Sequence, residues 1–149
     1  GNESPGHHTL VGNNRRPTEM QAAIGTVQLT KLPGILERKR DNARRLTELL
    51  QPVEGVTPPA VRPECGHVFM LYTLLVDGGR NPLLTALREQ RIEAKVYFPP
   101  AHRQSIFAGH AADLPVTDEM APRMLSVPIH AQLLPSEIDT IAAAIAAAR

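Results

Sequence analysis

Apolar residues recur at helical spacing in two neighbouring stretches near the start of the chain. These apolar positions are Met20, Ala23, Ile24 and Val27 in the first stretch, and Leu36, Ala43, Leu46 and Leu50 in the second. Pro33-Gly34 lies between them and predicts an interruption or a kink, because proline lacks the amide hydrogen that a helix interior needs. We therefore expect a long kinked helix over residues 17–50, preceded by a loop over residues 1–16.

After residue 50 the pattern changes to short apolar runs that proline and glycine separate. Residues 67–77 combine β-forming residues with no helical period, and residues 92–98 alternate, so both ranges are predicted strands. Residues 125–130 predict a short edge strand, since Pro128 cannot donate to a ladder. Helical patterns lie between and after these runs, at residues 81–90, 118–124 and 135–149.

This order of elements predicts an α/β (α+β) domain over residues 51–149, with helices packed on one face of a small sheet. The whole chain has 149 residues, which suits one domain better than two. Hydrophobic residues make up 42% of the chain and aromatic residues only 3%, so the core must be largely aliphatic.

Charge and cysteine content narrow the classes of function. A net charge of +1 creates no field that would attract nucleic acid or an acidic membrane. No apolar run approaches the roughly 18 residues of a membrane span, and the first residues lack the apolar core of a signal peptide. Cys65 is the only cysteine and the histidines are scattered, so neither an internal disulfide nor a metal site is expected. These features favour a cytoplasmic protein.

The stretch GNNRRPTEMQAAIG carries the first candidate site. Asn14 and Arg16 directly precede the predicted helix, where unpaired N–H groups and the helix dipole favour an anion such as phosphate. The alternative is an ordinary capped helix, because Thr18 and Gln21 fit the capping-box pattern. Spacing alone favours the ordinary cap.

The stretch VYFPPAHRQSIF carries the second candidate site. A predicted strand ends in two prolines and then presents His102 and Arg103. Strand ends in α/β proteins commonly contact ligands, and a histidine there could bind a substrate oxygen or transfer a proton. The alternative is a plain surface loop.

Several segments taken together resemble the DegT/DnrJ/EryC1/StrS aminotransferases, pyridoxal-phosphate enzymes that act mostly on nucleotide-linked keto sugars. The family pattern G-x-N-x-R, followed by Q-A-A and Q-L, stands here as Gly12, Asn14, Arg16, residues 21–23 and residues 28–29. The resemblance continues in the family's order through ERKRDNARRLTELL, HVFMLYTLLV, REQRIEAKVYFPPAH and LSVPIH. It implies the small C-terminal domain of fold type I enzymes and a long connecting helix, with residues 1–16 a loop from a large domain that is missing.

The resemblance also implies roles for individual residues. The asparagine of G-x-N-x-R reaches the cofactor phosphate of the partner subunit in this family, which gives that role to Asn14 and places Arg16 beside it. The Pro-Pro-x-His segment lies near the sugar, which places His102, Tyr97 and Phe98 on the substrate side. Tyr97-Phe98 stands where many members have His-Tyr, so the substrate contacts should differ. A homodimer is expected.

The family's Schiff-base lysine lies upstream of this segment, and none of Lys31, Lys39 and Lys95 has a similar context. We therefore expect the C-terminal part of an enzyme that passes an amino group from a donor such as glutamate to a nucleotide-linked keto sugar. The segment should hold no catalytic residue, no covalently bound pyridoxal 5'-phosphate, and no activity by itself. Two alternatives stay open: a sugar dehydratase of the same family, and a stand-alone, non-catalytic interaction or assembly module.

Overall fold

The computed structural model describes residues 16–109 and 112–149 in full, together with the backbone of residues 2–4 and 7–8. The chain divides into two compact units, Gly1–Pro33 and Gly34–Arg149. One long helix, α1 (Glu19–Leu50), contributes residues to both units.

The first unit holds a short ladder and the start of α1. β1 (Asn2–Ser4) pairs antiparallel with β2 (His7–His8), within the stretch predicted as a loop. The sequence did not reveal this ladder, because its few residues are polar and therefore show no alternation of apolar and polar positions. The predicted capping box is confirmed: the Thr18 amide donates to Gln21 Oε1 at 2.9 Å, and the Gln21 amide donates to Thr18 Oγ1 at 3.3 Å.

α1 continues from Glu19 to Leu50 through Pro33, so Pro33 does not interrupt the helix, and the kink predicted there stays a prediction. Proline removes one backbone hydrogen bond, and the bonds of the neighbouring turns are enough to carry the helix through. The predicted apolar face of the first half is largely exposed, with Met20 76%, Ile24 59% and Val27 52% accessible. The face of the second half is buried as predicted, at Ala43, Leu46 and Leu50.

The second unit contains a three-stranded antiparallel sheet in the order β3-β4-β5. The strands are β3 (Val56–Thr57), β4 (Tyr72–Val76) and β5 (Met124–Val127). In the described residues, three further α-helices follow in chain order: α2 (Asn81–Glu89), α3 (Pro115–Met120) and α4 (Pro135–Ala147). Short 3-10 turns occupy Ala101–Arg103, Ser105–Phe107 and Ala121–Arg123.

The core lies between one face of this sheet and the helices. Tyr72, Leu74 and Val76 alternate along β4, so they share a face, and all three are fully buried. They belong to one apolar cluster with residues of the three long helices, among them Leu46, Leu50, Leu83, Leu87, Ile138 and Ile145. The prediction of a small sheet with helices on one face and a mainly aliphatic core is confirmed.

All three predicted strands are shorter than expected, and the one predicted at 125–130 is observed as β5. The range 67–77 reduces to β4, because Phe69 has a φ of 46° and the chain there is not extended. The range 92–98 reduces to a single bridge between Lys95 and Ser126. Continuing that antiparallel register would set Glu93 opposite Pro128, which has no amide hydrogen to donate.

Candidate functional site

The entrance of α1 is the first place that the sequence marked as a site. Arg16 is exposed there and available to an anion. The capping box, however, occupies the amide hydrogens of Thr18 and Gln21, and Glu19 adds a carboxylate to the first turn. The capping box and this carboxylate therefore weaken the helix end as an anion site, and the cationic Arg16 side chain is the feature that best suits a phosphate. Asn14 lies outside the described residues.

The segment before the two prolines forms one wall of a cleft in the second unit. Lys95 holds this segment to β5, since its amide donates to the Ser126 carbonyl and its own carbonyl accepts from Ser126, both at 2.9 Å. The cleft has a volume of about 260 Å³, and its lining includes Met70, Tyr97 and His130. It combines an apolar wall with a phenol, an imidazole and a charged pair, a mixture suited to a small polar ligand.

The charged pair in this cleft consists of Lys95 and Glu93, whose Nζ and carboxylate oxygen lie 2.5 Å apart. The hydrogen bond and the charge of Glu93 raise the pKa of the Lys95 amine above its usual value. The same contacts lower the pKa of the Glu93 carboxyl. Both groups are thus held in their charged forms, so Lys95 is a fixed cation and not a free amine.

Tyr97 and Phe98 face different surroundings although they are neighbours. Tyr97 is 36% exposed and lines the cleft, whereas Phe98 is 77% exposed and does not line it. Their rings meet edge to face, with centroids 5.4 Å apart. Tyr97 is therefore positioned to contact a ligand in this cleft, and Phe98 presents an open apolar surface.

His102 lies in the turn Ala101–Arg103 and is largely buried, with 8% of its side chain exposed. Its Nε2 lies 2.8 Å from Oδ1 of Asp118, a residue of α3. Arg103 binds the same carboxylate through Nε at 3.0 Å and Nη2 at 2.5 Å. The hydrogen bonds from Arg103 and then from His102 lower the pKa of the Asp118 carboxyl to about 2.

The structure does not gather the predicted substrate residues into one cavity. His102 lines an apolar hollow of about 420 Å³ with Phe107 and Leu114, and Tyr97 lines the separate cleft described above. A larger groove of about 610 Å³ elsewhere in the second unit includes the exposed Cys65 and shares no lining residue with either cavity. Arg16 belongs to the first unit.

Sequence reasoning missed Asp118 and the pairing of Lys95 with Glu93. Asp118 stands 15 residues after Arg103, so no local spacing linked the two. Glu93 and Lys95 are two residues apart on an alternating stretch, where side chains share a face, and this signal could have revealed the pair.

Within the described parts of the chain, no cluster of three or more histidine, cysteine, aspartate or glutamate side chains could hold a metal ion. Among the same residues, no helix combines the length and the apolar character needed to cross a membrane.

Comparison with known families gives a match over nearly the whole chain. The sequence model of the DegT/DnrJ/EryC1/StrS aminotransferase family matches residues 2–146. A dTDP-4-dehydro-2,3,6-trideoxy-D-glucose 4-aminotransferase of Saccharopolyspora spinosa is 32% identical over 136 residues, which cover 89% of this chain and 34% of that protein. A pleiotropic regulatory protein of Geobacillus stearothermophilus is 37% identical over 134 residues, covering 85% and 36% respectively.

A solved structure shows the same fold. DesV of S. venezuelae, determined in complex with a ketimine intermediate, superimposes with a TM-score of 0.85 at 26% identity. The superposition covers 98% of this chain and 40% of DesV. The chain thus spans between a third and two fifths of the length of the relatives that it matches.

Proposed function

The chain belongs to the DegT/DnrJ/EryC1/StrS aminotransferase family, and we propose that it forms the C-terminal part of a sugar aminotransferase. The complete enzyme would move an amino group from a donor such as glutamate to a keto group of a nucleotide-linked sugar. The observation that carries this proposal is the family match over residues 2–146. The name of the Saccharopolyspora relative, an aminotransferase of a dTDP-linked dehydro sugar, supports the substrate class.

In this proposal, Arg16 and Asn14 are assigned to the phosphate end of a pyridoxal 5'-phosphate site. Arg16 offers a guanidinium to the phosphate, and Asn14, from the same motif, would add an amide donor across a homodimer interface. The cofactor, when bound in the complete enzyme, supplies the electron sink that amino-group transfer requires. His102 and Tyr97 would serve the sugar side, and Phe98 would add an apolar contact.

No lysine of this chain fits as the covalent anchor. Schiff-base formation needs a neutral, positioned amine with a depressed pKa. Lys95 has the opposite environment, because Glu93 stabilises its protonated form. Lys31 and Lys39 lie on α1, outside every cavity described above.

We therefore predict that the purified 149-residue chain does not transaminate by itself. The chain is incubated with pyridoxal 5'-phosphate, reduced with borohydride and digested, and the peptides are weighed by mass spectrometry. A Lys95→Ala variant serves as the control for non-specific labelling of surface amines. Equal background labelling of the lysines and no glutamate-dependent amination of a dTDP-linked keto sugar are expected. Selective labelling of Lys95 together with turnover would refute the prediction.

The complete-enzyme proposal is tested on the protein produced from the native gene with proteases inhibited. An intact mass well above 16.2 kDa, together with glutamate-dependent amination, would support an enzyme of which this chain is one part. Loss of water from the sugar without any need for glutamate would favour the dehydratase alternative. A product of the short mass without either activity would contradict the proposal.

One observation favours the alternative of a non-catalytic interaction module. The first half of α1 exposes a row of apolar side chains, and such a row usually marks a contact surface. One relative also carries the name of a regulatory protein. The native-gene experiment distinguishes this alternative from the enzyme, because only an interaction module would be a complete protein at the mass of the 149-residue chain.

A further inference from the structure

One carboxylate connects the segment 99–109 to the rest of the second unit. In the described part of the chain, the backbone hydrogen bonds of this segment are all local, such as Gln104 to Ala101 and Phe107 to Gln104. The hydrogen bonds that leave the segment, again among the described residues, all end on Asp118. The position of the segment on α3 therefore depends on a single polar contact point.

The chemistry of this contact also fixes the histidine. The ionised Asp118 carboxylate can only accept hydrogen bonds, so the proton on the His102 ring must lie on Nε2. A neutral His102 then presents Nδ1 as an acceptor, which suits a substrate hydroxyl. The neighbouring Arg103 binds both carboxylate oxygens and so prevents the carboxylate from rotating away from the ring.

Apolar packing supports the contact without replacing it. His102 shares its hollow with Ala101, Phe107, Leu114 and Thr117, which join the segment to the start of α3. Such contacts hold the segment near α3, but they do not fix the orientation of the His102 ring. The hydrogen bonds to Asp118 fix that orientation.

We infer that Asp118 is the positioning residue of the substrate-side segment: it sets the tautomer of His102 and anchors the turn at residues 101–103 against α3. The anchoring follows from the geometry of this chain, whereas the effect on the sugar rests on the function proposed above.

The anchoring is tested on the 149-residue chain with Asp118→Ala and Asp118→Asn. Glu119→Gln is the matched control, because Glu119 is the next residue on α3, its side chain is 71% exposed, and its ion pair among the described residues is with Arg123 at 3.9 Å, not with the segment 99–109. Long-range ¹H–¹⁵N NMR should show the Nε2–H tautomer of His102 in the parent and in the control. Asp118→Ala should lose it, and Asp118→Asn should keep it, since the amide oxygen still accepts from Nε2.

Trypsin supplies a second readout, because it cleaves after Arg103, a side chain that Asp118 engages. Cleavage between residues 103 and 104, followed by mass spectrometry, should accelerate on the order of tenfold in Asp118→Ala. Asp118→Asn should accelerate it less, and Glu119→Gln should leave it unchanged. If the Asp118 variants behave like the control in both the tautomer and the cleavage rate, the anchoring role is refuted.

The effect on the sugar is tested in the native-length enzyme. Asp118→Ala should raise KM for the keto sugar several-fold, Asp118→Asn, which keeps the tautomer, should raise it less, and both should leave KM for glutamate unchanged. An unchanged sugar KM in an active enzyme overturns the substrate part of the inference. Failure of the unmodified enzyme to transaminate refutes the proposed function instead, and the tautomer and cleavage results then still decide the anchoring.

Discussion

Replacing Thr47 by valine should destabilise the second unit more than replacing its partner Tyr72 by phenylalanine. The Tyr72 hydroxyl lies 2.7 Å from Thr47 Oγ1, and that oxygen also lies 2.8 Å from the Ala43 carbonyl. A carbonyl can only accept, so the one proton of Thr47 goes to Ala43, and Tyr72 is the donor to Thr47. The bond joins β4 to α1 inside the core.

The two substitutions differ in what they leave behind. Tyr72→Phe removes the donor, and the Thr47 hydroxyl keeps its bond to Ala43, so the cost is that of one net hydrogen bond, about 1 kcal/mol. Thr47→Val leaves the hydroxyl of the fully buried Tyr72 without a partner, which costs roughly 1–3 kcal/mol. The double variant should resemble Tyr72→Phe, because no buried donor then remains unsatisfied.

Urea unfolding followed by far-ultraviolet circular dichroism measures these differences, with the four proteins forming a double-mutant cycle. Burial raises the pKa of Tyr72, so its contribution is complete below the unfolded pKa of about 10 and is lost as the pH rises through the folded value. Tyr72→Phe should lack this alkaline loss. If Thr47→Val costs less than Tyr72→Phe, the hydroxyl finds another partner and the assignment of donor and acceptor is wrong.

Two further predictions concern stability in the second unit. Gly55→Ala should lower the unfolding free energy by about 1 kcal/mol, because Gly55 has a φ of 73°, where alanine is strained. The matched Gly34→Ala on α1, with nothing within 4 Å of the new Cβ, should raise the unfolding free energy by up to about 1 kcal/mol. Equal effects of the two substitutions in thermal unfolding would contradict this explanation. Asp139→Asn should destabilise the chain at neutral pH, because hydrogen bonds from Arg45 lower the pKa of Asp139. That contribution to stability is present above the unfolded pKa of about 4 and disappears as the pH falls through the folded pKa, so the unfolding free energies of the parent and Asp139→Asn should converge in acid. A constant difference in unfolding free energy down to low pH would argue against the role of Asp139.

Helices α1, α2 and α4 were largely predictable because their core-facing apolar residues lie on one face and their ends carry strong signals, whereas α3, predicted at residues 118–124, spans Pro115–Met120. α2 begins with Asn81-Pro82 and α4 with Pro135, and proline fits the first helical turn, where its missing amide costs nothing. The strands were less predictable. β3 has only two residues, too few for an alternating pattern, and the positive φ of Phe69 that shortens β4 has no signal in a side-chain pattern.

In the candidate site too, the features that adjacent residues form could be predicted, and the contacts between distant parts of the chain could not. The motif at Asn14 and Arg16 and the segment around His102 were identified from adjacent residues. His102 bonds to Asp118, which reaches it from α3, and side-chain partners at that separation are set by the folded backbone. The side chain of this histidine, in a segment whose sequence also fits a plain surface loop, is largely buried and hydrogen-bonded.

At the start of α1, the confirmed capping box limits the prediction that this helix end binds an anion. Helix ends attract phosphates when their amide hydrogens are unpaired. Here Thr18 and Gln21 satisfy each other, and Glu19 contributes negative charge where an anion would approach. Side chains that precede the helix are therefore better suited than the capped amides to hold a phosphate near this entrance, and the motif G-x-N-x-R ends in such a side chain, Arg16. The capping box and the proposed phosphate motif can be adjacent in sequence, because the cap uses backbone amides and the proposed anion contacts use side chains.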